Sequence, residues 1–260
     1  IISCVLFLTA VTAFSQTPMK TAAEAKLSAS DLAVKIADRI LATTTYEFKN
    51  TKTGKTYKSV KNLPLDMNVK VACKYNNWHY TNGVTHIALM ELADKTGAKK
   101  YDDYVLKNMN FVFNEGNLDF FKKQYEQAMK NEGWYGVRKL SWHMIFRGKR
   151  LDDNGPMGAS LIDLQMKHPN NSFLNYINET AEHLNYGEPR LADGTIARIW
   201  PHENTIWADD AFMAISFLAR MAKMTGDMSY INDAANQVIK YHKYLWCPEK
   251  RILYHCYHTD

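Results

Sequence analysis

The sequence predicts an all-α protein in which helix hairpins repeat and close into an α/α barrel. Apolar residues recur at helical spacing from about residue 30 onward, and few stretches alternate as strands do. Two stretches, starting at Trp78 and Trp207, align without a gap, and in both a Thr-Gly pair and then a tyrosine follow the tryptophan at equal distances. Repetition of one supersecondary unit indicates stacked hairpins.

The chain begins with an uncharged apolar run, IISCVLFLTAVTAFSQTP, which ends in small residues. This pattern is typical of the apolar core and cleavage site of a secretory signal peptide. We expect residues 1–16 to be that peptide, without its basic first segment, and residues 17–260 to form the barrel domain. The run is shorter than a membrane span of about 20 residues, so a periplasmic or secreted protein without a membrane partner is expected. A buried N-terminal helix is the alternative.

Composition excludes several classes of protein. Hydrophobic residues make up 46% of the 260 residues, enough for a packed core, and the net charge of +5 comes without the Lys/Arg block of a nucleic-acid-binding protein. No metal-binding, phosphate-loop, nucleophile-elbow or dinucleotide motif occurs. We therefore expect no cofactor, no metal and no nucleic-acid partner.

The cysteines do not indicate a disulfide framework or a zinc site. Cys4 lies in the leader, which leaves Cys73, Cys247 and Cys256, and none belongs to a C-x-x-C pair. A Cys247–Cys256 disulfide could form if the protein is exported, but inert buried thiols are favoured.

Each copy of the repeat predicts a helix, a break and a return helix. In the outer copies Thr-Gly ends the first helix, with glycine in the left-handed conformation, and the tyrosine begins the second. A weaker middle copy has a helix from about Pro156, a His-Pro-Asn-Asn break and Tyr176 at the start of the return helix. Residues 117–150 are an insertion, rich in Trp, Tyr and Lys, that we expect to form a rim segment.

A closed barrel brings the starts of its inner helices to one mouth. Evenly spaced tetratricopeptide units fit this spacing poorly, which favours the barrel over an open solenoid. Trp78, Asp152 or Asp153, and Trp207 all lie where an inner helix is predicted to start. We therefore expect these residues at one end of the fold, around a shared cavity.

The segment WADDAFM places two acids at a helix start. One of them can be an N-cap, which contributes about 1 kcal/mol. The other, beside Trp207 and near further carboxylates, would be desolvated and repelled, and both effects raise a carboxyl pKa and keep a proton available for sugar chemistry. Asp209 holds the place after Trp207 that Tyr80 holds after Trp78, so both should face the cavity, whereas Asp210 points about 100° away. Asp209 is the predicted proton donor.

Two other segments carry candidate residues whose roles stay open. In LDDNGPMG, Asp152 and Asp153 are either caps or acids at the mouth. The segment LYHCYHTD after the last hairpin is expected to be extended and carries His255 and His258. A structural role is the simpler interpretation of these histidines, and a role in binding is the alternative.

Four segments, WHYTNGVTHIALMEL, LDDNGPMG, NTIWADDAFM and LYHCYH, together resemble the unsaturated rhamnogalacturonyl hydrolases of glycoside hydrolase family 105, kin to the unsaturated glucuronyl hydrolases of family 88. The resemblance implies a six-hairpin (α/α)6 barrel. It also implies an enzyme that removes Δ4,5-unsaturated uronic acid from the non-reducing end of oligosaccharides made by polysaccharide lyases. In these families an aspartic acid protonates C4, water adds at C5, and the hemiketal expels the remaining sugar without a metal.

Carried over by position, the resemblance assigns catalysis to two aspartates and substrate binding to aromatic residues and histidines. The proton donor is Asp209 and the second aspartate is Asp152. The substrate-binding residues are Tyr80, Trp207, His255 and, in a variable loop, His202. Trp78 joins them from the repeat, as an aromatic residue at a predicted helix start that could stack on a sugar ring.

The families continue with a Trp/Arg-rich segment that helps to hold the uronate, and this sequence stops at Asp260 before any such segment. The resemblance therefore implies a fragment, a barrel incomplete at its C-terminus. The leading hypothesis is action on pectin or rhamnogalacturonan fragments. The alternatives are family 88-like action on glycosaminoglycan fragments and a non-catalytic helical-repeat protein that binds glycans.

Overall fold

The computed structural model describes residues 28–147 and 150–259, and these form ten α-helices. The all-α prediction is confirmed for this part of the chain, while the predicted signal peptide and Cys4 lie outside the described residues. The helices are α1 Ala29–Thr43, α2 Tyr80–Thr96, α3 Lys100–Val112, α4 Glu115–Glu132, α5 Trp134–Val137, α6 Met144–Arg147, α7 Leu151–Lys167, α8 Asn171–Glu182, α9 Ala208–Thr225 and α10 Met228–Leu245.

Short antiparallel strands accompany the helices, and the sequence does not predict most of them because two or three residues are too few for an alternating pattern. The strands are β1 Phe48–Asn50, β2 Thr56–Tyr57, β3 Val69–Val71, β4 Thr205–Trp207, β5 Trp246–Cys247, β6 Ile252–Leu253 and β7 Cys256–His258. They form a sheet in the order β2-β1-β3 and two strand pairs, β4–β7 and β5–β6. The predicted extended segment after the last hairpin is confirmed as β6 and β7.

The chain divides into two compact units, Ile1–Arg39 and Ile40–Asp260. In the first, the described residues belong to α1 and the residue before it. The second contains the last residues of α1, α2 to α10 and the strands. Across the described ranges, no helix is long and apolar enough to cross a membrane, and all three described cysteines are free thiols.

Helix hairpins repeat in the second unit as α2–α3, α7–α8 and α9–α10. α2 and α9 end at Gly97 and Gly226, whose φ angles of 70° and 75° confirm the predicted left-handed glycines. Tyr101 and Tyr230 lie in the first turns of α3 and α10, as the repeat predicts.

The middle hairpin starts earlier than predicted. α7 begins at Leu151, so Pro156 lies inside the helix rather than at its start. Proline has no N–H and cannot donate to the carbonyl of Asp152, four residues earlier, which is why the sequence rule placed it at the first position. α8 also begins before Tyr176, at Asn171. As a result, both acids of LDDNGPMG lie in the first turn of α7.

The insertion at residues 117–150 is mostly helical, formed by most of α4 together with α5 and α6. Phe120 and Phe121 of α4 lie 5.9 and 6.0 Å, between ring centroids, from Phe48 of the small sheet. Gln124 donates a hydrogen bond to a β3 carbonyl at 3.0 Å. This face of the insertion is therefore core, and its role as a pocket rim stays a prediction.

Two glycines let the first helices of the hairpins lie backbone against backbone. A Cβ at Gly83 of α2 would lie 2.3 Å from the carbonyl carbon of Pro156 in α7. A Cβ at Gly155 of α7 would lie 2.5 Å from the carbonyl oxygen of Met213 in α9. α7 thus packs between α2 and α9, with the early turns of each helix against the early turns of the next.

Replacing either Gly83 or Gly155 with alanine should therefore destabilise the protein. Because backbone atoms occupy the added methyl position, we expect the free energy of unfolding to fall by about 1–3 kcal/mol or more. Urea titration followed by circular dichroism measures this. The matched control is Gly116→Ala in α4, whose nearest neighbour is the Val60 side chain at 3.4 Å and which should be neutral or stabilising. Equal losses at all three positions would contradict the close-packing argument.

Candidate active site

The first turns of α2, α7 and α9 lie at the same end of the second unit. Trp78, which precedes α2, donates from Nε1 to the carbonyl oxygen of Asp153 in α7 at 2.8 Å. Arg198 donates to Asp152 in α7 at 3.2 Å and to Asp210 in α9 at 2.8 Å. These contacts confirm that the three copies of the repeat share one end.

The paired acids of α7 and α9 are not helix caps. The N-cap residues are Arg150 and Trp207, and within the described chain neither helix receives a side-chain capping hydrogen bond. The positive ends of both helix dipoles therefore lie at the site without a side-chain cap, which favours nearby negative groups.

Arg198 connects the two helix starts. Its Nε and Nη2 donate to the two carboxylate oxygens of Asp210, both at 2.8 Å, and Nη2 also donates to Asp152. The guanidinium lies over the Trp207 ring, 4.5 Å from the centroid. Planar contacts of this kind on both carboxylate and indole are typical of arginine.

The two acids of α9 lie in different environments, and the acid with the raised pKa is not the one that the sequence predicted. Asp210 is the desolvated acid, with its side chain 3% exposed, and burial raises its pKa although Arg198 opposes the shift. Asp209 has a side chain 45% exposed. Desolvation at the helix start thus falls on Asp210, because only that side chain faces the arginine.

Asp209 pairs with His255 instead. His255 Nε2 lies 3.0 Å from Asp209 Oδ2, and its ring meets Trp207 edge-on with centroids 5.1 Å apart. The pairing of β4 with β7 sets Trp207 opposite Cys256, and the Ala208 N–H donates to the His255 carbonyl at 2.8 Å. The pairing of β7 with β4 therefore places His255 at the start of α9.

A pocket of about 150 Å³ opens between the starts of α7 and α9. It is too small for an oligosaccharide and has the dimensions of a subsite for one group. Asp209 is not among its described lining residues. The polar and aromatic lining residues are Arg150, Asp152, Glu188, Arg198, Trp200 and Asp210.

Four of these lining residues were missed by sequence reasoning. Arg198 and Trp200 belong to an irregular segment before β4, and the Arg150 guanidinium lies 5.2 Å from the centre of the Trp200 ring. Glu188 follows a π-helical turn, His183–Gly187. Irregular segments give no periodic signal, and the available clue was the clustering of charged and aromatic residues before WADDAFM.

A hydrogen-bond network fixes this irregular segment on α10. Arg190 donates to both carboxylate oxygens of Asp233 at 3.0 and 2.8 Å. Gln237, fully buried, accepts from the Ile196 N–H at 3.0 Å and donates to the Gly194 carbonyl at 3.0 Å. The segment that supplies Arg198 and Glu188 is therefore held at several points.

Glu188 is nearly buried and bonded to a histidine. Its Oε2 lies 2.9 Å from His183 Nε2. Burial and, after it, the negative charge of Asp210 raise the pKa of Glu188 to about 7, against the opposing effect of Arg190 and Arg198.

The acids of α7 also differ from one another. Asp152 is 31% exposed and lines the pocket, whereas Asp153 is buried and paired with Arg147. The geometry thus agrees with the choice of Asp152 over Asp153 as the acid at the mouth.

None of the five predicted substrate-binding residues is among the described lining residues of the pocket. Trp207 and His255 lie beside Asp209 at the start of α9. Trp78 is fully buried and packs against Tyr176 with ring centroids 4.8 Å apart, so its predicted contact with substrate is wrong: the indole is part of the core. Tyr80 is exposed and its ring lies 4.4 Å from that of His79. His202 is exposed in the turn before β4. For Tyr80 and His202 substrate contact stays a prediction.

Among residues 28–147 and 150–259, no group of histidine, cysteine, aspartate and glutamate side chains is arranged to hold a metal ion.

Known structures show the same fold as this chain. Two are described as possible members of the GH105 family, from Salmonella enterica serovar Paratyphi A (15% identity, TM-score 0.56) and Klebsiella pneumoniae (13%, 0.55), and each match covers 90% of this chain and 53% of the other. A glycoside hydrolase from family 105 of C. acetobutylicum is 20% identical, with a TM-score of 0.55 over 90% of this chain and 50% of the other. The chain thus spans about half the length of these structures.

These matches confirm the predicted all-α (α/α)6 barrel class, while its incompleteness stays a prediction. A comparison with curated proteins finds no match. The model of Glycosyl Hydrolase Family 88 matches residues 52–260, which is most of the sequence. The chain belongs to glycosyl hydrolase family 88.

Proposed function

We propose that the protein containing this chain removes Δ4,5-unsaturated uronic acid from the non-reducing end of lyase-generated oligosaccharides of the pectin or rhamnogalacturonan type. The observation that supports this best is Asp209, an exposed acid at a helix start without a side-chain cap, with His255 at 3.0 Å. Export to the periplasm or the medium is part of the proposal, because it would place the enzyme where secreted lyases act.

Asp209 is the proton donor in this proposal. Its carboxyl proton passes to C4 of the enol ether, water adds at C5, and the hemiketal opens and expels the remaining sugar. The proton that this water loses passes to the imidazole of His255, which can return it to the Asp209 carboxylate because its Nε2 is within hydrogen-bonding distance. Proton transfer from a positioned acid accounts for roughly 10²–10⁴-fold in rate.

The surrounding groups suit an anionic sugar. Asp152 acts as the second aspartate beside the reacting sugar, and Trp207 and Tyr80 offer aromatic surfaces to its ring. Arg150, together with the positive dipole ends of α7 and α9, favours the uronate carboxylate. Arg198 is already neutralised by Asp210 and positions the acids.

Membership of family 88 favours one competing substrate class, the unsaturated fragments of glycosaminoglycans. We expect the full-length protein to abolish the ultraviolet absorbance of the 4,5-double bond in lyase-treated rhamnogalacturonan faster than in lyase-treated chondroitin. The two fragment mixtures are compared at equal double-bond concentration. A faster reaction with chondroitin fragments would favour the glycosaminoglycan assignment. Binding of both without loss of absorbance would indicate a non-catalytic glycan-binding protein.

Substitution of the adjacent acids by asparagine separates their roles. Asp209→Asn should lower kcat by at least roughly 10²-fold with little change in the free energy of unfolding, because the exposed side chain keeps its size and most of its hydrogen bonding but cannot supply an acidic proton. Asp210→Asn should lower the free energy of unfolding by about 1–3 kcal/mol, because the arginine loses its buried counter-charge, and should lower kcat less. Steady-state kinetics and thermal melting measure both. Equal losses of kcat, or a larger loss in Asp210→Asn, would show that Asp209 is not the donor.

A further inference from the structure

Glu188 is a pocket residue that the hydration chemistry leaves without a role. It lines the pocket with Asp152, Arg198 and Asp210, and a π-helical turn directly before it sets its position. Single π-helical turns are rare in proteins, and those that occur are often found at functional sites.

Glu188 differs from the other carboxyl groups of the pocket in its hydrogen-bond partner. The Arg198 guanidinium is bonded to Asp210 and Asp152, whereas the hydrogen bond of Glu188 joins its Oε2 to His183. An ionised Glu188 would be a third negative charge around an arginine that is already neutralised. A protonated Glu188 instead presents a hydrogen-bond donor at the pocket wall.

The charge of Glu188 changes close to neutral pH. Burial first, and then Asp210, raise its pKa to about 7, so the carboxyl is neutral below that pH and negative above it. The groups that face it come from every neighbouring element: His183 from the π-helical turn, Asp152 from α7, Asp210 from α9, Tyr241 from α10, and Arg190 and Arg198 from the irregular segment.

We propose that Glu188 determines the specificity of the pocket for an anionic sugar: its carboxylic acid donates a hydrogen bond to an oxygen of the uronate, and its carboxylate repels that uronate. This inference rests on the proposed function. With Oε2 at His183, Oε1 is the oxygen that carries the proton toward the ligand.

The test compares KM across pH for two substrates, the unsaturated galacturonyl-rhamnose disaccharide and its methyl ester, which carries no charge. In the wild-type full-length protein, KM for the acid should rise roughly tenfold or more as pH passes upward through about 7, and KM for the ester should change far less. In Glu188→Gln, which cannot ionise, the acid should lose this rise. In Glu188→Asp, which can ionise, the rise should remain.

The matched control is Glu182→Gln, at an exposed position in the last turn of α8, which should keep the wild-type pH profile. The same rise in KM for the acid in wild type and Glu188→Gln would overturn the inference while the proposed function stands. Loss of the rise in Glu188→Asp would also overturn it, since charge would then not be the cause. Absence of turnover of both substrates at every pH would overturn the proposed function and this inference with it.

Discussion

The guanidinium of Arg198 holds together the two helix starts on which the site depends. α7 and α9 each begin without a side-chain cap in the described chain and with two acids in the first turn, so carboxylates of the two helices converge and repel. Arg198 is bonded to one from each helix, Asp152 and Asp210. Without it the buried Asp210 would be an uncompensated charge, which is strongly destabilising. The glycine contact of α7 with α9 brings the two acids within reach of one side chain.

The ion pair with Arg198 puts the adjacent acids of α9 in different environments. Asp210 faces the arginine and is committed to an ion pair, so Asp209, about 100° around the helix, faces solvent and His255. Trp207 connects the two sides, because Arg198 lies over its ring and His255 meets the ring edge-on. The second acid, next to the proposed proton donor, therefore fixes the position of the helix start and is not a cap.

The repeat in the sequence was sufficient to predict the hairpins, the left-handed glycines Gly97 and Gly226 and the common end of the helix starts, because these follow from local periodicity and turn chemistry. Equal positions in the repeat did not predict whether a side chain is buried or exposed. Trp78 and Trp207 hold equal places, yet Trp78 is buried against α7. Arg198 and Glu188 could not be predicted, because their roles arise only when an aperiodic segment folds onto α10 and reaches across to α7.

In the proposed reaction, the double bond is hydrated before the glycosidic bond breaks. The most direct measurement follows, in one reaction of the full-length protein, the ultraviolet absorbance of the unsaturated uronide and the amount of sugar released from it. Hydration initiated by Asp209 predicts that absorbance falls no later than sugar is released, and that neither changes appreciably in Asp209→Asn. Release of sugar ahead of the loss of absorbance would show direct cleavage of the glycosidic bond and would contradict this account.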